Sequence, residues 1–335
     1  MMPRMNALTS NLHDLVYTVI AHPSTARALV VFDDQSILAR TITQGYREVI
    51  PEATFLDFQG ATPDQIRQTI DQLHPRDLVV LVQSSSFRLN EFRFRLELFN
   101  RSLAVVEHVH IGRLPEHEHQ LYVDSLAYDK NYYRTVGPDL KARIDRAERA
   151  VVISSGGELV YTTSFEDAKL NIGDYSKMKN IGGQFPIGEV FTEPKDFTQV
   201  NGTVGLFAFG SRDFRVSSVD EPIILTITGG QITKVENAPA NFQSILDEIQ
   251  LTEPLWVREL GFGMNRAMTK ERRLNDVGSY ERMCGIHLSL GQKHTIYAKP
   301  GMPKRSSRYH VDVFVDTRSV TLDGVEIFNG SSYTN

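Results

Sequence analysis

With 335 residues the chain exceeds what one hydrophobic core usually serves, so two domains are expected. Apolar residues at 41% and charged residues at 23% are ordinary for a soluble globular protein, and no apolar run reaches membrane-spanning length. A net charge of −5 gives no basic field for nucleic acid, and a single cysteine, Cys284, excludes an internal disulfide. The opening "MMPRMNALTSNLHDLVYTVI" lacks the apolar core and small-residue cleavage site of a signal peptide, so a cytoplasmic location is the expectation.

The first 150 residues alternate strand and helix patterns. "ARALVVF" (26–32), "ATFLDF" (53–58), "DLVVLVQ" (77–83) and "LAVVEHVHI" (103–111) read as strands. "DQSILARTITQGYREVI" (34–50) reads as a helix with Asp34 as cap. "TPDQIRQTIDQL" (62–73) reads as a helix with Thr62 as cap and Pro63 in the first turn, and "NEFRFRLELFN" (90–100) as a third. Strand and helix in turn predict an α/β domain with a parallel sheet. No GxGxxG or P-loop pattern opens a helix, so no nucleotide site is expected. "PDLKARIDRAERA" (138–150) reads as a closing helix.

From residue 151 the texture changes to short strands with Gly-rich turns. "TGGQI" and "LDGV" are hairpin turns, and one helix is predicted over 239–253. Residues 151–335 thus read as a strand-rich α+β domain.

Four segments of this second half place acids and histidines among glycines: "GGQFPIGEVFTEP" (182–194), "RELGFGMNRA" (258–267), "YERMCGIHLSLG" (280–291) and "RYHVDVFVD" (308–316). His310 and Asp312 are two apart on a strand, so both leave one face. Taken alone, such a pair is the polar face of an ordinary half-exposed strand, and His287 among apolar neighbours is a core histidine. Taken together, Glu189, Glu259, Asp312, His287 and His310 offer three carboxylates and two imidazoles, a mixture suited to Zn²⁺, Mn²⁺, Co²⁺ or Fe²⁺. The histidines of "EHVHIGRLPEHEHQ" (107–120) read as a strand and an exposed loop, with His110 or Arg113 at a strand end positioned to meet substrate. Cys284 has no base partner in its segment and reads as a small buried residue.

These segments resemble the thermophilic-type metallo-aminopeptidases, which include aminopeptidases T and S. "FPIGEVFTEP", "GIHLSLG" and "YHVDVFVD" resemble three motifs of that family in order, "RELGFGMN" resembles its glutamate segment, and "SVTLDGVEIFNG" follows as it does there. The resemblance covers about the last 150 residues. It implies two divalent ions (Zn, Co or Mn) held by Glu189, Glu259, His287, His310 and Asp312. It further implies Glu189, Glu259 or the nearby Glu281 as proton acceptor, Tyr297 or Tyr309 as oxyanion donor, a short peptide or related amide as substrate, and a homodimer. The family's catalytic tyrosine falls soon after the "HLALG" histidine; here Tyr297 lies some residues late. The 2,5-dihydroxypyridine dioxygenases are more distant relatives with a single Fe²⁺. They carry histidine where this chain has Glu259 and lack the acid of "GEVFT". Alternatives to the hydrolase are therefore a mononuclear Fe(II) ring-cleaving dioxygenase, or a catalytically vestigial, peptidase-like binding protein in a biosynthetic pathway.

Overall fold

The computed structural model describes residues 6–89, 94–291, 297 and 310–334. In chain order the elements begin with α1 (Ala7–Asp14), β1 (Ala28–Phe32), α2 (Ile37–Val49), β2 (Thr54–Asp57), α3 (Pro63–Asp71), β3 (Leu78–Val82), α4 (Phe94–Asn100) and β4 (Ala104–His108). There follow α5 (His119–Ser125), α6 (Lys130–Ile144), β5 (Ala150–Ser154), β6 (Gly157–Tyr161), β7 (Lys169–Asn171), β8 (Ile181–Phe185) and β9 (Glu189–Thr192). The rest comprises β10 (Val200–Gly210), β11 (Val216–Thr228), β12 (Gln231–Glu236), α7 (Ala240–Gln250), β13 (Val257–Gly263), α8 (Val277–Tyr280), β14 (Gly285–Gly291), β15 (His310–Val315), β16 (Thr317–Leu322) and β17 (Val325–Phe328). No helix among the described residues is long and apolar enough to cross a membrane.

Chain contacts define two compact units, 1–131 with 173–187, and 132–172 with 188–335. This division differs from a single cut at residue 150, for two physical reasons. First, β8 pairs in parallel with β4, Ala104 opposite Ile181 and His108 opposite Phe185, so a stretch from the middle of the chain completes the first unit's sheet. The glycines that hide this strand in the sequence are what let it dock: Gly182 has φ +92°, and a Cβ there would overlap the carbonyl oxygen of Val105. Second, the predicted helix over 138–150 starts earlier, at Lys130, and ends at Ile144. Pro138 resembles a helix start in the sequence but lies inside the helix, and residues 150–154 form β5.

The first unit is the expected parallel α/β layer, with strand order β2-β1-β3-β4-β8. β3 and β4 are buried throughout, which explains their unbroken apolar runs. One face packs Leu29, Val31, Val79, Leu81 and Val105 against Ile66 and Ile70 of α3 and Phe94 and Leu98 of α4. Each such side chain contributes about 1.5–3 kcal/mol when fully buried. Thr62 caps α3 through a reciprocal pair with Gln65, as its sequence predicts. For α2 the cap is Ser36, whose Oγ accepts from Ala39 N at 3.1 Å, and not Asp34. The strand predicted over 103–111 stops at His108, because His110 turns into the left-handed region with φ 58°.

The second unit is built on an antiparallel sheet ordered β17-β16-β5-β6-β10-β15-β14-β13-β9-β7, with β11 and β12 branching from β10. The "TGGQ" turn joins β11 to β12 through Gly229 and Gly230, both at positive φ. α7 buries the stripe Phe242, Ile245, Leu246 and Ile249, with the Phe242 ring 4.7 Å from that of Phe209. The neighbours β15, β14, β13 and β9 carry the acids and histidines singled out in the sequence.

Candidate metal centre

β13 and β14 are buried along their whole length, so the polar residues of "VRELGFG" and "GIHLSLG" lie inside the unit. Directly opposed residues of an antiparallel pair share a face. Glu189 opposes Gly263, Gly261 opposes His287, Ser289 opposes Asp312, and Gly291 opposes His310. One face of four adjacent strands therefore gathers Glu189, His287, His310 and Asp312. Gly261 is the vacancy in that face: a Cβ there would overlap the imidazole of His287. Its lack of a side chain lets the ring lie across β13 toward the glutamates. Ser289 ties β14 to β13, its Oγ accepting from the Glu259 backbone N–H at 3.2 Å.

His287 Nε2 stands 3.3 Å from Glu189 Oε1 and 3.3 Å from Glu259 Oε1. One ligand atom from each of the three residues falls within 4.8 Å of the others. Their exposures of 5%, 4% and 1% for Glu189, Glu259 and His287 exclude bulk solvent as the partner that satisfies them. Beside them, His310 Nε2 lies 3.1 Å from Asp312 Oδ1. Arg282 is also buried, with Nη2 3.6 Å from Glu189 Oε2 and Nη1 donating to the Gly278 carbonyl at 2.9 Å.

Burial alone would raise the carboxyl pKa of Glu189, but Arg282 and the hydrogen bond and charge of His287 outweigh it and hold it below its ordinary value. For Asp312 burial is likewise outweighed, by His310 first and then by His287 and Arg282. Burial alone would lower the His287 pKa, yet the hydrogen bonds and charges of Glu189 and Glu259 push it up to about 10. The metal-free centre is thus a buried imidazolium held between carboxylates.

The other residues named from the sequence fall elsewhere. Glu281 pairs with the Arg282 guanidinium and lies outside the three-ligand group. Tyr297 donates its hydroxyl to the Asp167 carbonyl at 3.0 Å, with the Phe191 carbonyl at 3.4 Å. Burial and the Glu259 and Glu193 charges raise its pKa, so the phenol keeps that proton. Tyr309 lies outside the described residues. His110 bonds Ser86 Oγ at 2.6 Å, and the 107–120 histidines form no three-ligand group among the described residues. Cys284 is buried with its pKa pushed up to about 11, an inert thiol.

The sequence reading passed over Arg282, Gly261 and Ser289. Gly261 had half a signal, its place two residues after Glu259 in a strand pattern; that His287 faces it depends on register. Arg282 had none, because its place beside Glu189 depends on where α8 delivers the chain.

The donor set fits a divalent cation. Three buried carboxylates meet two imidazoles and one guanidinium, and buried ionised carboxylates require compensating cations. Displacing the proton of His287 would turn its Nε2 and the two Oε1 atoms from a hydrogen-bonded trio into three convergent ligands of the types that hold zinc, manganese, cobalt or ferrous iron.

No family model and no curated protein sequence matches the chain. Among solved structures, it is similar over nearly its whole length to the 2,5-dihydroxypyridine dioxygenase of Pseudomonas putida KT2440. The TM-score is 0.66 at 15% identity, covering 99% of this chain and 98% of the other. It is similar also to AmpT of Thermus thermophilus, with a TM-score of 0.60 at 13% identity, covering 98% of this chain and 99% of that one. Both kinds of protein resembled in the sequence therefore recur as structural neighbours, and the likeness establishes that all three share one fold.

Proposed function

We propose that the chain is a metal-dependent hydrolase of the aminopeptidase type, cleaving a short peptide or related amide. The observation that carries this reading is the convergence of Glu189, Glu259 and His287 within 4.8 Å, with His310 and Asp312 paired beside them on the same face. Glu189, Glu259 and His287 would hold an ion, with Asp312 and His310 completing the centre. A bound divalent ion supplies Lewis acidity and lowers the pKa of a coordinated water.

The chain's own residues do the rest. Glu259, with its backbone N–H fixed by Ser289, holds its carboxylate at the centre and takes the water proton. Glu281 stands next to Arg282 as the outer carboxylate able to receive that proton. Tyr309, adjacent to His310 in sequence, and Tyr297 are the phenols assigned to the oxyanion. For Tyr297 this requires the hydroxyl to leave the Asp167 carbonyl. A homodimer and a cytoplasmic location belong to the same reading, and size-exclusion chromatography with light scattering tests the first.

The test is metal content after purification without chelator, followed by a panel of aminoacyl amides and dipeptides. Hydrolysis restored to the stripped protein by Zn²⁺, Co²⁺ or Mn²⁺ supports the reading; metal bound without hydrolysis of any member contradicts it. A second reading, a mononuclear Fe(II) ring-cleaving dioxygenase, would draw on His287, His310 and Asp312, two histidines and a carboxylate carried on one face of the neighbouring strands β14 and β15. Oxygen uptake with a hydroxylated pyridine, dependent on Fe²⁺ and absent with Zn²⁺, would select it.

A further inference from the structure

We propose that the centre accepts one divalent ion per chain, because the Arg282 guanidinium occupies the side of the carboxylate cluster that a second ion would need. This rests on the metal-centre reading above and sharpens it to a stoichiometry.

The argument begins with the two oxygens of Glu189. Oε1 faces His287 Nε2 at 3.3 Å, inside the three-ligand group. Oε2 faces Arg282 Nη2 at 3.6 Å. A carboxylate that bridges two ions presents one oxygen to each, and here the second oxygen already faces a cation. That cation is permanent, because arginine is not deprotonated in proteins. It is also held in place: Nη1 donates to the carbonyl of Gly278, within α8, at 2.9 Å, and the side chain is 9% exposed. A dication at Glu189 Oε2 would sit against a full positive charge at low local dielectric, where repulsion is poorly screened.

Of the other two carboxylates, Glu259 turns Oε1 to His287 inside the three-ligand group, and Asp312 lies within the field of Arg282, so a second ion placed there would also meet that positive charge. Glu281 pairs with the same guanidinium, so Arg282 is held between two carboxylates.

The experiment uses the full chain, stripped with chelator and titrated with Zn²⁺ and with Mn²⁺ by calorimetry, with metal analysis after gel filtration. The parent, Arg282→Lys and Arg282→Met are compared, with circular dichroism to check folding. One ion per chain is expected for the parent and for Arg282→Lys, and about two for Arg282→Met, which keeps the stem and removes the charge. Two ions in the parent overturn the inference and leave the metal-centre reading standing. One ion in a folded Arg282→Met overturns the role given to Arg282. No ion in the parent overturns the metal-centre reading itself. If Arg282→Met does not fold, Arg282→Gln takes its place under the same criteria.

Discussion

Two histidines, each buried to 1% exposure or less, end in opposite states. In the first unit, His108 is bracketed by phenols, with Tyr46 Oη 2.8 Å from Nε2 and Tyr122 Oη 2.9 Å from Nδ1. The Tyr122 hydroxyl donates onward to the Phe185 carbonyl at 3.4 Å, so it accepts from Nδ1–H, and Nε2 accepts from Tyr46. Every polar atom is satisfied with the ring neutral, and burial drives the His108 pKa down to about 3. In the second unit, His287 is bracketed by carboxylates and driven up to about 10. Equal burial gives no common answer; the charge of the neighbours decides. A histidine between hydroxyls closes a core, whereas one between carboxylates stores a positive charge that a metal ion can replace.

The largest expected effect that tests this contrast is on stability against pH. His108 is neutral when folded but titrates near 6.5 when unfolded. Stability is therefore full above pH 6.5 and falls as pH drops toward about 3, with a slope approaching 1.4 kcal/mol per pH unit, about one proton's worth. Urea unfolding of the parent and His108→Gln between pH 7 and 4 measures it, the parent losing stability more steeply. His287 has the opposite sign in metal-free protein: its contribution is complete below about pH 6.5 and is lost as pH rises through about 10. The same experiment with His287→Gln between pH 7 and 10 isolates it, and equal slopes in parent and variant would remove the contrast.

Next in size is metal affinity. Glu259→Gln should weaken binding at least about 100-fold, since supporting residues alone are worth about 10–100-fold. His108→Gln should leave affinity unchanged. Titration with Zn²⁺ reads both. Gly261→Ala comes third: pressing a methyl group into the His287 ring should cost about 1–3 kcal/mol of stability and lower metal uptake together. Smallest is Tyr46→Phe, which removes the donor to His108 Nε2 and should cost about 1 kcal/mol in urea with metal content unchanged.

What could be seen in the sequence follows the range of the physics involved. β1, β3 and β4 announce themselves because strands buried on both faces need unbroken apolar runs, and Thr62–Pro63 marks α3 because capping is local. β8 was hidden because its glycines weaken the strand pattern in order to let backbone approach backbone. Pro138 misplaced the start of α6, since its effect on a helix depends on position. At the centre, the pairing of His310 with Asp312 was legible from their spacing of two. Their neighbours Glu189, Glu259 and His287 were legible only as motifs. Their convergence depends on the register of β9, β13 and β14, and Arg282 on where α8 ends, neither of which a local pattern encodes.

The most direct measurement is anomalous scattering from a crystal grown with Zn²⁺ or Mn²⁺ and recorded at the metal edge. The expected result is a peak bonded to the Glu189 and Glu259 carboxylates and to His287 Nε2, at the roughly 2.0–2.2 Å of carboxylate and imidazole ligation. A map without a peak there, with His287 still hydrogen-bonded to both glutamates at saturating metal, would contradict the account.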